Sequence, residues 1–262
     1  MIQNISFFKY QGTGNDFIII DNRLLNFKND TKLIKRLCDR KFGIGADGLI
    51  CLENTSDKDL DFKMVYYNAD GNESSMCGNG GRCIVAFAKY LGIIKRGCTF
   101  EAIDGIHEAK VSENMEVELK MKDVDFIKNH GSDFIVDTGS PHYIKFVDND
   151  TEIDVKSDGA AIRYSNEFEK QGINVNFVRI DNNVLKMRTY ERGVEDETLS
   201  CGTGVTAAAI TAYDQKFIKQ NEIDVIAKGG HLKIKLKKTE TGYEDIWLIG
   251  PTENVYKGEI SC

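Results

Sequence analysis

Proline is almost missing from this chain: two residues in 262, Pro141 and Pro251. Chain reversals must therefore be made by glycine, asparagine and aspartate. Histidine is scarce too, at four, and although there are seven cysteines, no two stand as Cys-x-x-Cys. Structural zinc wants close ligand pairs, so no metal is expected. No apolar run reaches the length of a membrane span, and the opening MIQNISFFKYQG lacks the basic segment and apolar core of a secretory leader. No membrane role is expected. The chain reads as cytoplasmic, where an odd number of thiols stays reduced. A basic surplus is also lacking: 34 Lys and Arg face 41 Asp and Glu, a net charge of −7, which speaks against a nucleic-acid surface. The length suits one large domain or two small ones, each with a real core.

What is present is mostly strand. MEVELKM, HLKIKLK and DIWLIG alternate like half-buried strands. INVNFVRIDNNVLKMRTYE reads as strand, Asp-Asn-Asn turn, strand, and LKIKLKKTETGYEDIWLIG as a hairpin turning near Thr241 and Gly242. TKLIKRLCDRKFG places Leu33, Ile34, Leu37 and Cys38 on one helical face, with Asp30 or Thr31 as cap and Gly43 as the expected end. Two further helices follow glycine-rich turns. One carries Ile84, Phe87, Ala88 and Leu91, with only Arg82 and Lys89 charged; the other runs from Val205 to Tyr213 without a charge. Helices apolar nearly all round are buried ones, so each is expected inside a sheet. With no β-α-β alternation evident, the class expected is α+β with largely antiparallel sheet.

The chain repeats itself. YYNADGNESSMCGNGG and YERGVEDETLSCGTGV align at one constant offset, pairing Tyr66 with Tyr190, Glu73 with Glu197, Cys77 with Cys201, Gly78 with Gly202 and Gly80 with Gly204. Two Cys-Gly-x-Gly turns in the same context suggest a duplicated unit. The halves would then be related by a pseudo-two-fold axis, with Cys77 and Cys201 confronting one another over one small pocket.

Taken singly, a cysteine here is a small buried hydrophobe, and that reading is kept for Cys83. Cys38, Cys51, Cys98 and Cys262 are read as packing or surface thiols. Cys77 and Cys201 differ, because a helix N-terminus offers N–H donors and a positive dipole end that favour thiolate and attract carboxylates. A carboxylate held by the amides of Gly78, Asn79, Gly202 and Thr203 would set its α-carbon between two sulfurs. One thiolate can remove the α-proton and the opposite thiol can return one to the other face. The charge that develops on the carboxylate meets fixed amide dipoles. That scheme needs no cofactor.

At this point the chain resembles a known family. YQGTGNDFIIID, GIGADGLI, YNADGNESSMCGNG, TGSPHY, NVNFV, ERGVEDETLSCGTG and the final GPTENVYKGEI occur in the order found in diaminopimelate epimerases, across nearly the whole chain. The resemblance implies cofactor-independent interconversion of LL- and meso-diaminopimelate, in lysine and peptidoglycan precursor biosynthesis. It implies two pseudo-symmetric domains, each a mostly antiparallel β-sheet or barrel around a central buried helix. The expected boundaries are 1–122 plus 251–262 for the first and 123–250 for the second. It implies Cys77 and Cys201 as the catalytic pair. Asn15, Asn68, Gly78, Asn79, Asn174, Glu191, Arg192, Gly202 and Thr203 match substrate contacts. His142 and Glu191 match residues that tune the cysteines. The small molecule diaminopimelate is the partner implied, with a homodimer as the assembly considered.

Two departures bear on affinity. Ser140, in GSPH, stands where many members carry a substrate-contacting asparagine, and a hydroxyl is shorter than an amide. ERGVEDET puts Asp196, preceded by Glu195, where a glycine is usual. Gly48 stands where some members carry a contacting glutamine, and no side-chain contact is expected there. A proline or hydroxyproline racemase would share the two-cysteine site, but Glu191 and Arg192 favour a substrate charged at both ends. A thiol redox sensor would also use facing thiols, and here oxidation reads as a liability. A phosphate-binding module is disfavoured, since no G-x-x-x-x-G-K-[ST] occurs.

Overall fold

The computed structural model describes residues 4–261, so Cys262 lies outside the described residues. The chain divides into two compact units. One runs from the N-terminus through Leu119 and resumes at Gly250, and the other is Lys120–Ile249.

The first unit contains β1 (Asn4–Gly12), β2 (Asn15–Asp21), α1 (Thr31–Cys38), β3 (Gly48–Glu53), β4 (Phe62–Asn68), α2 (Gly78–Tyr90), β5 (Gly97–Ala102), β6 (Gly105–Val111) and β7 (Glu116–Lys120). The second contains β8 (Lys128–His130), β9 (Asp133–Asp137), β10 (Pro141–Phe146), α3 (Val155–Arg163), β11 (Asn174–Asp181), β12 (Val184–Glu191), β13 (Asp196–Thr198), α4 (Gly202–Asp214), β14 (Glu222–Ala227), β15 (Gly230–Lys238) and β16 (Tyr243–Pro251). The last described strand, β17 (Glu253–Ser261), pairs antiparallel with β1 and lies in the first unit.

The two units share one plan. Hairpins make most neighbours antiparallel, as in β1–β2, β3–β4 and β5–β6 of the first unit and β9–β10, β11–β12 and β14–β15 of the second. The expectation that β-α-β alternation is absent is overturned. Each helix bridges a parallel pair: α1 joins β2 to β3, α2 joins β4 to β5, α3 joins β10 to β11, and α4 joins β12 to β14. The parallel strands hid because they are covered on both faces and therefore do not alternate. Phe17, Ile18, Ile19 and Ile20 on β2 are all buried. Ile18 and Ile20 pack with Ile34 and Leu37 of α1. On the other face, Phe17 lies beneath Gly80 of α2. In the second unit, Val175 and Phe177 of β11 cluster with Val155 of α3. α4 is the counterpart of α2, buried along nearly its whole length. The architecture is therefore of the expected class, largely antiparallel strands with one long buried helix, α2 or α4, in each unit.

Local signals set the helix ends. The Asp30 carboxylate accepts from the backbone N–H of Lys32 and Leu33, so Asp30 caps α1. That helix ends at Cys38 with Asp39 as its C-cap, earlier than the Gly43 expected from sequence. The Gly43 N–H instead closes a bend onto Asp39 O, and a Cβ there would strike Arg36 O at 2.0 Å. The glycines after Cys77 and Cys201 are not turns ahead of helices but their first turns, since α2 starts at Gly78 and α4 at Gly202. α3 escaped the sequence reading, because VKSDGAAIR has a weak apolar face; its Gly159 lets it approach Tyr190 so closely that a Cβ would lie 2.4 Å from Tyr190 Cβ.

Candidate active site

Cys77 is the N-cap of α2 and Cys201 the N-cap of α4, both in extended backbone conformation and neither capping with its side chain. The first intrahelical bonds run from Gly81 N to Cys77 O at 2.7 Å and from Val205 N to Cys201 O at 2.9 Å. The helices therefore do not themselves consume the N–H groups of Gly78, Asn79, Gly202 and Thr203. Cys77 is half-buried and Cys201 nearly buried. The six described cysteines are all free thiols. Cys38, Cys51, Cys83 and Cys98 are buried, and burial pushes the Cys83 thiol up to about 12. They are packing residues, inert at neutral pH.

In the first unit Asn15, Cys77, Gly78 and Asn79 converge at the start of α2, while Asn68 does not join them. Cys77 Sγ donates to Asn15 Oδ1 at 3.5 Å, and Asn79 Nδ2 donates to the same oxygen at 3.2 Å. Asn15 opens β2 directly after the turn Thr13–Gly14, where Gly14 has φ +86°. Asn68 ends β4 and pairs with Gly48 across the sheet. Its backbone closes the next turn with Asn72 and Gly71. Its side chain is exposed and, among the described residues, joins no hydrogen bond of the Cys77 cluster. Gly48 has no room for a side chain, since a Cβ would meet Tyr66 Cε2 at 2.6 Å.

In the second unit the cluster centres on His142. This imidazole is fully buried, which pushes it down to about 3, with Arg192 adding to the effect, so it is neutral. Nε2 lies 2.9 Å from Thr203 Oγ1 and 2.9 Å from Ser140 Oγ. Thr203 Oγ1 in turn lies 3.4 Å from Cys201 Sγ. Asn174 bridges outward: Nδ2 donates to Ser140 Oγ at 3.3 Å and Oδ1 accepts from Arg192 N at 2.9 Å. The Arg192 guanidinium donates to Gln171 O at 2.9 Å. Glu191 closes β12, paired with Asp196. The departure loop is ordered by its own acid. Glu195, at φ +58°, takes the left-handed position, and its carboxylate accepts from Tyr190 OH at 3.0 Å and Gly193 N at 3.1 Å. Asp196, which the motif spacing put where a glycine is usual, lies in β13 and pairs with Lys156.

Several residues of these clusters were not found from sequence. Arg82 is fully buried on α2 and donates to Asn79 Oδ1 and Thr13 Oγ1, both at 3.1 Å. Asp47 accepts from Asn15 Nδ2 at 2.6 Å and is held by Arg40 at 2.7 Å. Asn176 bonds His142 Nδ1 at 3.1 Å. Arg82 carried a legible signal, a cation in the first turns of an otherwise largely apolar helix whose only other charge is Lys89 near its end. Asp47 and Asn176 carried none beyond their place in GIGADGLI and NVNFV.

Cysteine as cap with glycine next recurs at both helix ends, and the chain as a whole matches one set of known proteins. The model of the family "Diaminopimelate epimerase" matches residues 7–127 and 134–252. The chain belongs to the diaminopimelate epimerase family. A diaminopimelate epimerase of Flavobacterium psychrophilum is 53% identical over 255 residues, covering 97% of this chain and 99% of that one. One of Chlorobaculum tepidum is 41% identical over 259 residues, covering 95% and 99%. Among solved structures, a phenazine biosynthesis protein of the PhzF family from Bacillus anthracis superposes with a TM-score of 0.78 at 15% identity, covering 98% and 99%. A hydroxyproline epimerase of Agrobacterium vitis, with trans-4-hydroxy-L-proline bound, gives 0.68 at 12% identity, covering 98% and 92%. At these identities the structures share the fold alone.

Proposed function

We propose that this member of the diaminopimelate epimerase family interconverts LL- and meso-2,6-diaminopimelate without a cofactor, with Cys77 and Cys201 as the two acid–base groups. One sulfur, as thiolate, takes the α-proton. The electron pair left on carbon delocalises into the adjacent carboxylate. The other sulfur, as thiol, gives its proton to the opposite face, and the configuration inverts. Protons balance, and the two cysteines end with exchanged protonation states. The observation that carries this reading is the placement of both cysteines as N-caps of buried helices, where amides that the helix does not use can hold a carboxylate and stabilise the charge that builds on it.

Asn15, Asn68, Gly78, Asn79, Ser140, Asn174, Glu191, Arg192, Gly202 and Thr203 are proposed to hold the substrate. Arg192 pairs with the distal carboxylate and Glu191 with the distal ammonium. His142 acts on Cys201 through Thr203. The domains are proposed to divide at residues 122/123 and 250/251. The protein is proposed to work in the cytoplasm, with a homodimer as the assembly to check by sedimentation. No helix among the described residues is long and apolar enough to cross a membrane.

The test is proton exchange. Reduced protein in D2O, with no pyridoxal phosphate, is expected to place deuterium at one α-carbon of LL-diaminopimelate, and Cys77→Ser is expected to abolish net epimerisation. An active wild-type protein that turns over the substrate without exchange would exclude the mechanism. Turnover of free proline with none of diaminopimelate would favour the racemase reading instead.

A further inference from the structure

Two cysteines that pass a proton through one carbon cannot start in the same protonation state. The hydrogen bonds around Cys77 and Cys201 differ in a way that fixes which one begins as the acid.

Around Cys77 the decisive groups are two side-chain amides. A carboxylate only accepts, so the Asp47 oxygen 2.6 Å from Asn15 must face the Asn15 NH2. Asp47 cannot turn away, because Arg40 holds its Oδ1 at 2.7 Å and the Asp16 N–H donates to its Oδ2 at 3.2 Å. Asn15 Oδ1 therefore points the other way, toward Cys77. The second amide is fixed from the opposite end. Arg82 only donates, so it must face Asn79 Oδ1, which turns Asn79 Nδ2 onto Asn15 Oδ1. The two ends agree, and neither amide can flip without setting donor on donor or acceptor on acceptor. Cys77 Sγ thus meets a carbonyl oxygen at 3.5 Å, which suits S–H and opposes a thiolate.

The charged groups facing this corner are few. Arg82 and Cys83 come from α2, and Cys83 stays a neutral thiol. Asp47 and Arg40 come from the β2–β3 connection, and Asp16 of β2 is paired with Lys9 of β1. Asp104, from the β5–β6 turn, accepts from Met76 N. Arg82 and Asp47 stand at opposite ends of the amide chain and their charges oppose one another at the sulfur. The orientation of the amides then decides.

Around Cys201 the pattern reverses. Asn176 Oδ1 accepts from Thr189 Oγ1 at 2.9 Å, so its NH2 group faces Tyr143 O and His142 Nδ1. His142 Nδ1 is an acceptor and the ring proton sits on Nε2, which lies 2.9 Å from both Thr203 Oγ1 and Ser140 Oγ. A threonine oxygen that accepts from Nε2 can direct its own proton to Cys201 Sγ, which suits a thiolate. Of the charged groups on this side, Arg192 acts on the His142 ring, Glu191 precedes it at the end of β12, and Glu197 is taken up by Arg188 and Lys228.

We propose that the resting protein carries its proton on Cys77 and presents Cys201 as the base, with Asp47 and Arg82 as positioning residues that lock the Asn15 and Asn79 amides. This rests on the two-thiol reading above. It means that the resting form first accepts the stereoisomer whose α-hydrogen faces Cys201.

The test is alkylation of the intact, substrate-free, reduced protein by iodoacetamide from about pH 5 to about pH 10, with both cysteines followed by peptide mass spectrometry. Cys201 is expected to react with a midpoint about one pH unit or more below that of Cys77. Asp47→Asn is expected to lower the Cys77 midpoint by about one unit by freeing Asn15 to flip, and to leave that of Cys201 in place. In an Asn15→Ala background the same substitution should do nothing, because the amide through which it acts is gone. Coincident midpoints, or Cys77 reacting at the lower pH, would overturn the proposal on wild-type protein alone, whether or not any variant folds. A shift by Asp47→Asn that survives without Asn15 would reduce Asp47 to a bare charge and remove its positioning role. Loss of α-proton exchange in wild-type protein strikes the two-thiol reading instead, so the two failures are separable.

Discussion

Gly80 and Gly204 occupy equivalent places in the duplicated turn, yet alanine should affect them differently. A methyl on Gly80 would lie 3.2 Å from Ile50 Cδ1 and 3.4 Å from the edge of Phe17, which are ends of side chains that can yield. A methyl on Gly204 would lie 2.5 Å from Asn176 Oδ1 and 3.3 Å from the His142 ring. Asn176 would have to retreat by about 0.9 Å to regain ordinary contact. It is held by Thr189, Tyr143 and His142, so the retreat breaks or stretches buried hydrogen bonds. Each such bond contributes about 1 kcal/mol, and overpacking costs about 1–3 kcal/mol more. Replacing a helical glycine by alanine returns about 1 kcal/mol in either helix. Gly204→Ala should therefore lose about 2–3 kcal/mol, while Gly80→Ala should stay within about 1 kcal/mol of the parent. Urea unfolding of the two variants beside the parent measures this. The epimerisation rate should fall at least about tenfold only in Gly204→Ala, because a displaced His142 releases Thr203. Equal stability of the two variants, or a fully active Gly204→Ala, would refute the packing and its link to Cys201.

His142 gives a pH signature. The folded protein holds it down to about 3, whereas in an unfolded chain it titrates near about 6.5. Between these values the unfolded chain binds a proton that the fold refuses. Its stabilising contribution is thus complete above about pH 6.5 and is lost as pH falls toward about 3, with a slope of up to about 1.4 kcal/mol per pH unit. His142→Gln should flatten that part of the stability–pH curve, and an unchanged slope would show that the ring is not kept neutral. At the other end of the scale, Asp30→Ala removes the cap on α1 and should cost about 1 kcal/mol, read by urea unfolding, with activity intact.

The fold was legible where sequence and structure share a period or a repeat. The echo of Cys77 at Cys201 predicted two related units, and the uncharged run after Val205 predicted a buried helix. The parallel pairs were not legible. Ile18, Ile19 and Ile20 are buried on both faces, and a strand without alternation gives no sign of which strand it will lie beside. For the site, the cysteines and Asn15 stood in recognisable motifs. Asp47, 32 positions from Asn15, acts by forbidding one orientation of an amide, which no spacing encodes. The deviation at ERGVEDET was visible, but its resolution was not. A carboxylate that hydrogen-bonds its own loop lets Glu195 take a backbone conformation ordinarily left to glycine.

The return of β17 to the first unit has a consequence for synthesis. Residues Lys120–Ile249 form one uninterrupted stretch, so this unit can be completed without the residues that follow it. The older half cannot. β1 acquires its outer neighbour only when Glu253–Ser261 is available, and until then it presents an open edge to other nascent chains. A message cut shortly before that segment would yield a protein with both cysteines in place and a sheet prone to pair with its neighbours.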